Sequence, residues 1–402
     1  VVTLLPAPPA RSNVPAAAPA APAAGTVAPT APGDPKLRVA RLTSDAHLAH
    51  LDGRGDAGFL QYPSWAVVKE GWRSEGIGWY DANGVVVGSA LVLYRKMPKV
   101  PYWFAYLPEG PVIDWADPNP QRWLAPLIEL MRRRNVFTVR MGPPLAYRRW
   151  QAQTVKDAVK HGLKHLDRVT PDEIDPLGAT VALRLGDLGW RTSGDGADAQ
   201  PRYTFELPFE DRPLDQVKAG FNQEWKRAIA KAGKSGVDIT VGGYEDLPAF
   251  FELLQVTERR NGFRLGRELP YYERQFRALN TESAGRMKLY LARFEDRLLA
   301  AHTLISAGSR VWYQTGASTD HGRGVRPSHA LQWRMIQDVH ERGVPVYDMR
   351  GVSPVIDPDD RLFGVLRWKL GTNGRVVENL GEWEYPVVPA LHKAFRAYMS
   401  IR

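Results

Sequence analysis

Lys69 closes the stretch FLQYPSWAVVK, in which three aromatic residues, a glutamine and a proline open what reads as a helix. A lysine there either snorkels past its apolar neighbours into water or supplies the one charge a binding cleft needs. Trp65, Val68 and Trp72 fall at i, i+3 and i+7, so they read as one packed helical face that aims Lys69 at a cleft. Late in the chain, LRWKLG sets Trp368 beside Lys369, a cation next to an aromatic platform; the plain reading is a strand with one core aromatic and one exposed lysine. RNGFRLGRELPYY places Arg267 four residues before Tyr271, and VWYQTGAS carries Tyr313. A guanidinium matches phosphate oxygens bidentately, whereas a lysine adds a point charge. The competing accounts are a solvated basic face for Arg267 and core packing for the tyrosines.

A second group of residues suits a polyanion. NQEWKRAIAKAGKSGV puts Lys226, Arg227, Lys231 and Lys234 on an expected helix, and Arg132, Arg133 and Arg134 cluster in the same way. Phosphate contacts of this kind give salt-dependent affinity without sequence information. The net charge of +9 agrees, favouring nucleic acid, a phosphorylated substrate or an anionic membrane face. Other chemistries lack their residues. There is no cysteine, so no thiolate nucleophile or disulfide. The nine histidines are scattered without metal-ligand spacing, and neither a Walker loop nor a dinucleotide fingerprint occurs. No cofactor is expected.

The elements that must position these residues come from two related segments. Tyr102-Trp103, Trp123 and Arg140 recur at the same intervals as Trp312-Tyr313, Trp333 and Arg350. Between the landmarks lie an expected helix, WLAPLIELMRRRN or LQWRMIQDVHERG, and an expected strand ending in VRMG or MRG. Upstream of each aromatic pair is a hairpin pattern, DANGVVVGSALVLY with its Asn-Gly turn and ARFEDRLLAAHTLIS. Each copy reads β-turn-β, β, α, β. The expected fold is therefore α/β (α+β), two related domains side by side with a cleft between them. The expected limits are an Ala/Pro-rich disordered tail over 1–36, a first domain over 37–200, a second over 201–382, and a segment 383–402 returning to the first. The tail shows no secretory-signal pattern, and apolar runs such as 84–94 fall short of the roughly 18 residues that span a bilayer.

The β-β-β-α-β order resembles the GNAT acyltransferase core. In that family a glycine-rich loop at a helix start holds the coenzyme A pyrophosphate. The equivalent loop here is HGRGVRPSHAL, where Arg326 takes the central glycine position and Pro327 removes a backbone donor, which argues against coenzyme A. FLQYPSW with Lys69, the duplicated unit, GPVID (110–114) and LRWKLGTNGRVVE together resemble the Fem family of aminoacyltransferases across roughly residues 40 to 395. No long charged heptad stretch is present, so the compact, FemX-like form is expected.

The resemblance implies a tRNA-dependent aminoacyltransferase of peptidoglycan cross-bridge synthesis. The donor would be an aminoacyl-tRNA, carrying glycine first, alanine or serine next. The acceptor would be the third-residue amine of the stem peptide in UDP-MurNAc-pentapeptide or a lipid-linked precursor. Lys69, Arg267, Tyr271 and Tyr313 match positions that grip the acceptor diphosphate, and Trp368-Lys369 matches a Phe-Lys pair at the transfer step. Lys226, Arg227, Lys231 and Lys234 match a tRNA-binding helix. The sequence departs from the family at Gly142, where relatives often carry an aspartate before the proline, so a general base is not available at that point. A cytoplasmic monomer with optional peripheral contact at the inner membrane face is expected. Two alternatives use the same residues: a Fem-like enzyme of natural-product biosynthesis, and a non-catalytic nucleic-acid-binding protein on a GNAT-like fold.

Overall fold

The computed structural model describes residues 36–98, 100–194, 198–262 and 264–400; the expected tail lies outside them save for Lys36. The chain begins with β1 (Arg38–Leu42), α1 (Ser44–Arg54), the short α2 (Pro63–Val68), β2 (Arg73–Tyr80), β3 (Val86–Lys96), β4 (Trp103–Leu107), α3 (Gln121–Arg133) and β5 (Val136–Met141). It continues through β6 (Ala146–Gln151), α4 (Ala152–Lys160), β7 (Glu173–Ile174), α5 (Pro176–Asp187), β8 (Arg191–Thr192), β9 (Tyr203–Pro208), α6 (Leu214–Ala219) and α7 (Gln223–Ser235). The second copy of the repeat follows as β10 (Asp238–Gly242), α8 (Leu247–Asn261), α9 (Leu269–Glu282), β11 (Met287–Phe294), β12 (Arg297–Ala307), β13 (Arg310–Ser318), α10 (Pro327–Glu341) and β14 (Val346–Gly351). The last elements are α11 (Phe363–Leu370), β15 (Arg375–Asn379), β16 (Trp383–Pro386) and α12 (Pro389–Ser400).

These form two mixed sheets, ordered β1-β2-β3-β4-β5-β16-β8 and β10-β11-β12-β13-β14-β9-β15-β6-β7. Each is antiparallel except for one pair, β4 with β5 and β13 with β14. Parallel neighbours need a crossover, and α3 and α10 supply it at equivalent points of the repeat. The α/β fold of two related units is the one the sequence pattern implied. The β2–β3 hairpin turns where Asp81 accepts hydrogen bonds from the backbone N–H groups of Asn83 and Val85 (2.9 and 2.8 Å).

The units exchange strands. β6 and β7 extend the second sheet through β15, so residues 146–174, expected in the first domain, belong with the second. The reason is burial: Trp150 on β6 lies in the core of the second unit, 6.3 Å from Tyr203 of β9, and Arg148 pairs with Glu378 on β15 (2.5 Å). In the other direction, β16 pairs with β5 in the first sheet.

Two local expectations also change. The helix meant to carry Trp65, Val68 and Trp72 stops at Val68, because Gly71 at φ +83° turns the chain into β2. Trp368 and Lys369 lie on α11, not on a strand, and Lys369 is buried. Among the described residues, no helix is longer than the 15 residues of α8 and α10, and none is long and apolar enough to cross a membrane.

Candidate functional site

Helices α2 and α9 form one wall of the junction between the units. At the start of α2, the Ser64 N–H and hydroxyl both donate to the Glu282 carboxylate (2.7 Å each) at the end of α9. Glu282 in turn pairs with Arg286, whose guanidinium covers the Tyr62 ring at 4.1 Å. The helices run antiparallel, so the far end of α2 meets the start of α9. Lys69 caps α2 there and feels the charge of Arg267. Burial, and then that neighbouring cation, bring the Lys69 ammonium down to about 8. Its Nζ lies 5.4 Å over the Trp65 ring, and the Arg267 guanidinium lies 4.8 Å over Tyr271. Among the described residues no carboxylate lies within ion-pair distance of either cation; nearby Glu70 pairs with Arg274 (2.8 Å). Two half-buried cations without a counter-ion leave an excess of positive charge at this end of the wall. The Trp65 indole N–H and the Gln275 amide nitrogen, both buried on these two helices, also lack a partner.

Gln61 ties this wall to the GPVID segment. Its amide nitrogen donates to the Pro108 carbonyl (2.5 Å) and its oxygen accepts from the Leu91 N–H (3.0 Å). A Cβ at Gly110 would stand 2.5 Å from that amide, so only glycine fits the close approach.

Tyr313 is not part of this group. Trp312 faces the wall, 5.0 Å from Phe59, and Tyr313 as its strand neighbour points through the opposite face toward α10. There Tyr313 packs against His302 (5.0 Å) and hydrogen-bonds Gln332, with Tyr347 donating to the Gln332 oxygen (2.9 Å). Its hydroxyl occupies the space a Cβ at Gly316 would fill, 1.8 Å away.

Beside that network, Trp368 donates its indole N–H to His329 (3.1 Å) and stacks at 5.0 Å on Trp225 of α7. Burial keeps both imidazoles neutral, His302 near 3 and His329 near 4. Trp368 stays half-exposed. From this aromatic group α7 runs outward with Trp225, Ala228 and Ala232 buried, which leaves Arg227, Lys231 and Lys234 exposed at i, i+4 and i+7. Lys226 differs from these three: its Nζ donates to the Ala219 carbonyl (2.6 Å). The loop before α10 holds Arg326 at φ +60°, a conformation suited to the glycine it replaces.

Lys369 points inward. Its Nζ donates to the carbonyls of Met349 (2.7 Å), Arg350 (3.2 Å) and Gly351 (2.8 Å), so all three ammonium donors hold the end of β14. In this state the ammonium is engaged with the backbone on all three donors. Burial brings this ammonium down to about 7. The strand end it holds is unusual. Arg350 sits at φ +60°, its N–H bonded to Asp348 (2.6 Å), and its guanidinium crosses to Glu109 of the first unit (2.8 Å) and to Gln200 (3.3 Å). Glu109 is also left-handed, at φ +48°. Such strain persists only where surrounding contacts over-determine it.

These residues line a small cavity between the units, about 60 Å³, with Gly142 and Glu382 opposite Asp348. Glu382 accepts from Tyr106 (2.5 Å), the Ala199 N–H (3.0 Å) and the Gln200 N–H (3.2 Å) and lies 3.4 Å from Arg140. Burial pushes its carboxyl up to about 7 and that of Asp348 up to about 6.

The family model of the FemAB family matches residues 42–298 and 275–399. The chain belongs to the FemAB family. It is an aminoacyltransferase. Among curated FemAB relatives, the Lipid II:glycine glycyltransferase of Staphylococcus epidermidis is 24% identical over 417 residues, covering 87% of this chain and 92% of that protein. The Staphylococcus aureus protein of the same name is 22% identical over 428 residues, covering 89% and 94%. The solved structure of FemX superposes with a TM-score of 0.74 at 21% identity, covering 89% of this chain and all of that one. For a FemAB protein the junction is richer than the sequence suggested. Arg140 and Arg350 were visible as repeat landmarks, yet nothing marked their partners Glu384 and Glu109, which are single glutamates in unrelated stretches.

Proposed function

We infer that this protein transfers an amino acid from aminoacyl-tRNA to the third-residue amine of a peptidoglycan stem peptide carried on a lipid-linked or UDP-linked precursor. The observation that carries the reading is the uncompensated Lys69–Arg267 pair, anchored by Ser64–Glu282, in a chain whose relatives are named for lipid II. Lys69 and Arg267 bind the acceptor diphosphate and Tyr271 fixes the guanidinium plane. Tyr313, on the other face of β13, belongs with the donor side. There Trp368 offers a stacking surface for the terminal base of the tRNA, and Arg227, Lys231 and Lys234 meet its backbone. Glycine is the first candidate for the donated residue, alanine or serine next.

The chemistry asks little of a nucleophile base. The acceptor amine attacks the ester carbonyl, a C–N bond forms, the C–O bond to the tRNA ribose breaks, and the proton lost by the amine passes through solvent to the released ribose oxygen, which leaves as a hydroxyl. The protein supplies position and electrostatics. Lys369 serves as a positioning residue, holding the β14 end and with it the Arg350–Glu109 bridge. The test pairs each radiolabelled aminoacyl-tRNA with UDP-MurNAc-pentapeptide and with the lipid-linked precursor. Label should enter the acceptor with glycyl-tRNA first, and silence with every pair would overturn the reading.

A further inference from the structure

Just beyond Lys69 the first sheet ends in a basic, aromatic edge that the transfer reaction does not use. The Trp72 N–H donates to the Lys69 carbonyl (3.1 Å), so this edge begins one turn from Lys69. Arg73, Arg95 and Lys96 are exposed at the neighbouring ends of β2 and β3, and β3 in turn pairs with β4 at Trp103. The Arg73 guanidinium lies 5.7 Å from Trp103, and that of Arg95 lies 5.7 Å from Trp72. A backbone bond from Trp103 to Asn135 (2.9 Å) brings in the end of α3, with exposed Arg132. Val67, 60% exposed, stands on α2 beside the same turn.

The nearby carboxylates are already matched: Glu70 to Arg274, Glu75 to Arg134 and Glu129 to Arg133. Among the described residues none lies within ion-pair distance of Arg73, Arg95, Lys96 or Arg132. The edge therefore carries net positive charge, complementary to an anionic surface. Nucleic acid is the less suitable partner. Base stacking needs a free ring face, whereas Trp72 and Trp103 each have a guanidinium on one side and pack against core clusters with the other. Half-buried indoles ringed by cations instead match the headgroup region of a bilayer.

We propose that this edge, Val67 and Trp72–Arg73 with Arg95, Lys96, Trp103 and Arg132, is a docking face for an anionic lipid bilayer. The proposal rests on the acceptor reading of Lys69 and Arg267 and deepens it. A diphosphate carried on a lipid lies at headgroup depth, and a face docked there brings Lys69 to that depth. The face thus selects the lipid-linked acceptor over the soluble nucleotide.

Co-sedimentation with vesicles tests it, using phosphatidylcholine alone and phosphatidylcholine mixed with phosphatidylglycerol, without donor or acceptor. The full chain should bind the anionic vesicles, lose binding with added salt, and ignore the neutral ones. The triple variant Arg73→Gln, Arg95→Gln, Lys96→Gln should bind anionic vesicles roughly a hundredfold more weakly, at about fivefold per cation. Lys96→Gln with Arg132→Gln, which disturbs no aromatic contact, should give a smaller loss, and circular dichroism checks that both variants fold. Equal binding to both vesicle types, undiminished binding by the triple variant, or loss of tRNA binding in place of vesicle binding would each overturn the docking face. A protein that binds anionic vesicles through these residues yet transfers nothing supports the face and removes the transferase reading alone.

Discussion

Burial and the Arg267 charge bring the Lys69 proton near the range in which enzymes work. An acceptor diphosphate favours the protonated form, so acceptor binding is strongest below pH 8 and weakens as the pH rises through it. The acceptor KM should therefore climb above pH 8 in the wild type, and Lys69→Arg should remove that inflection while keeping affinity at neutral pH. Lys69→Ala removes a charge-assisted contact, a change of about 10- to 100-fold in KM with little effect on kcat. Steady-state kinetics against pH with each variant separates the two outcomes; a KM unaffected by either substitution would put the diphosphate elsewhere. Lys369 makes a different prediction because its donors are spent on backbone. Lys369→Met leaves three buried carbonyls without their donor, costing roughly 1–3 kcal/mol. As β14 relaxes, kcat should fall at least tenfold per folded molecule with acceptor KM unchanged. Denaturant melts and active-site-normalised rates read the two effects apart.

α2 is only six residues long and could not hold its shape alone, so its position comes from α9. Glu282→Gln weakens both hydrogen bonds to Ser64 and unpairs Arg286. We expect a stability loss of about 1–3 kcal/mol and a rise in acceptor KM at a distance from the Lys69–Arg267 pair, measured by urea melts and kinetics together. A KM left intact in a destabilised variant would show that α2 keeps its place without this anchor. The order of elements was legible because its signals are local: the Asn83-Gly84 turn, alternating strands, and a repeat with matching intervals. The transfer of 146–151 to the second sheet was not, since its partner β15 is chosen by long-range packing around Trp150. The Lys69–Arg267 pair lies far apart in the chain, and only resemblance joined it before the helices did. The facing of Tyr313 could have been read: next to Trp312 on a strand, it must serve the other side.

At the scale of the whole molecule, two sheets are joined where the chain crosses back to the first one, and Glu382 stands at that crossing, bonded to Tyr106 of the first unit and to the segment between the units, and lining one cavity with Asp348 and Arg350 of the second. Its folded carboxyl titrates near 7 and its unfolded one near 4.5. Between those values the folded state keeps a proton that the unfolded state has lost. Its contribution to stability is therefore complete below pH 4.5 and declines as the pH rises toward 7, by at most about 1.4 kcal/mol per pH unit. Buried His47, His302 and His329 act with the opposite sign. Their folded values lie near 4, 3 and 4, so the stability they give is complete above 6.5 and is lost as the pH falls. The two trends overlap in the wild type, and a single melt cannot assign them. Comparison with Glu382→Gln can, because the histidines cancel in the difference. From pH 4.5 to 7 the variant should gain on the wild type by up to about 3 kcal/mol, whatever fixed amount the substitution costs in packing. Urea melts of both proteins across that window supply the measurement. A difference that stays flat would mean that the Arg140 charge holds Glu382 ionised throughout, and that the junction between the units is built on an ion pair instead of a shared proton.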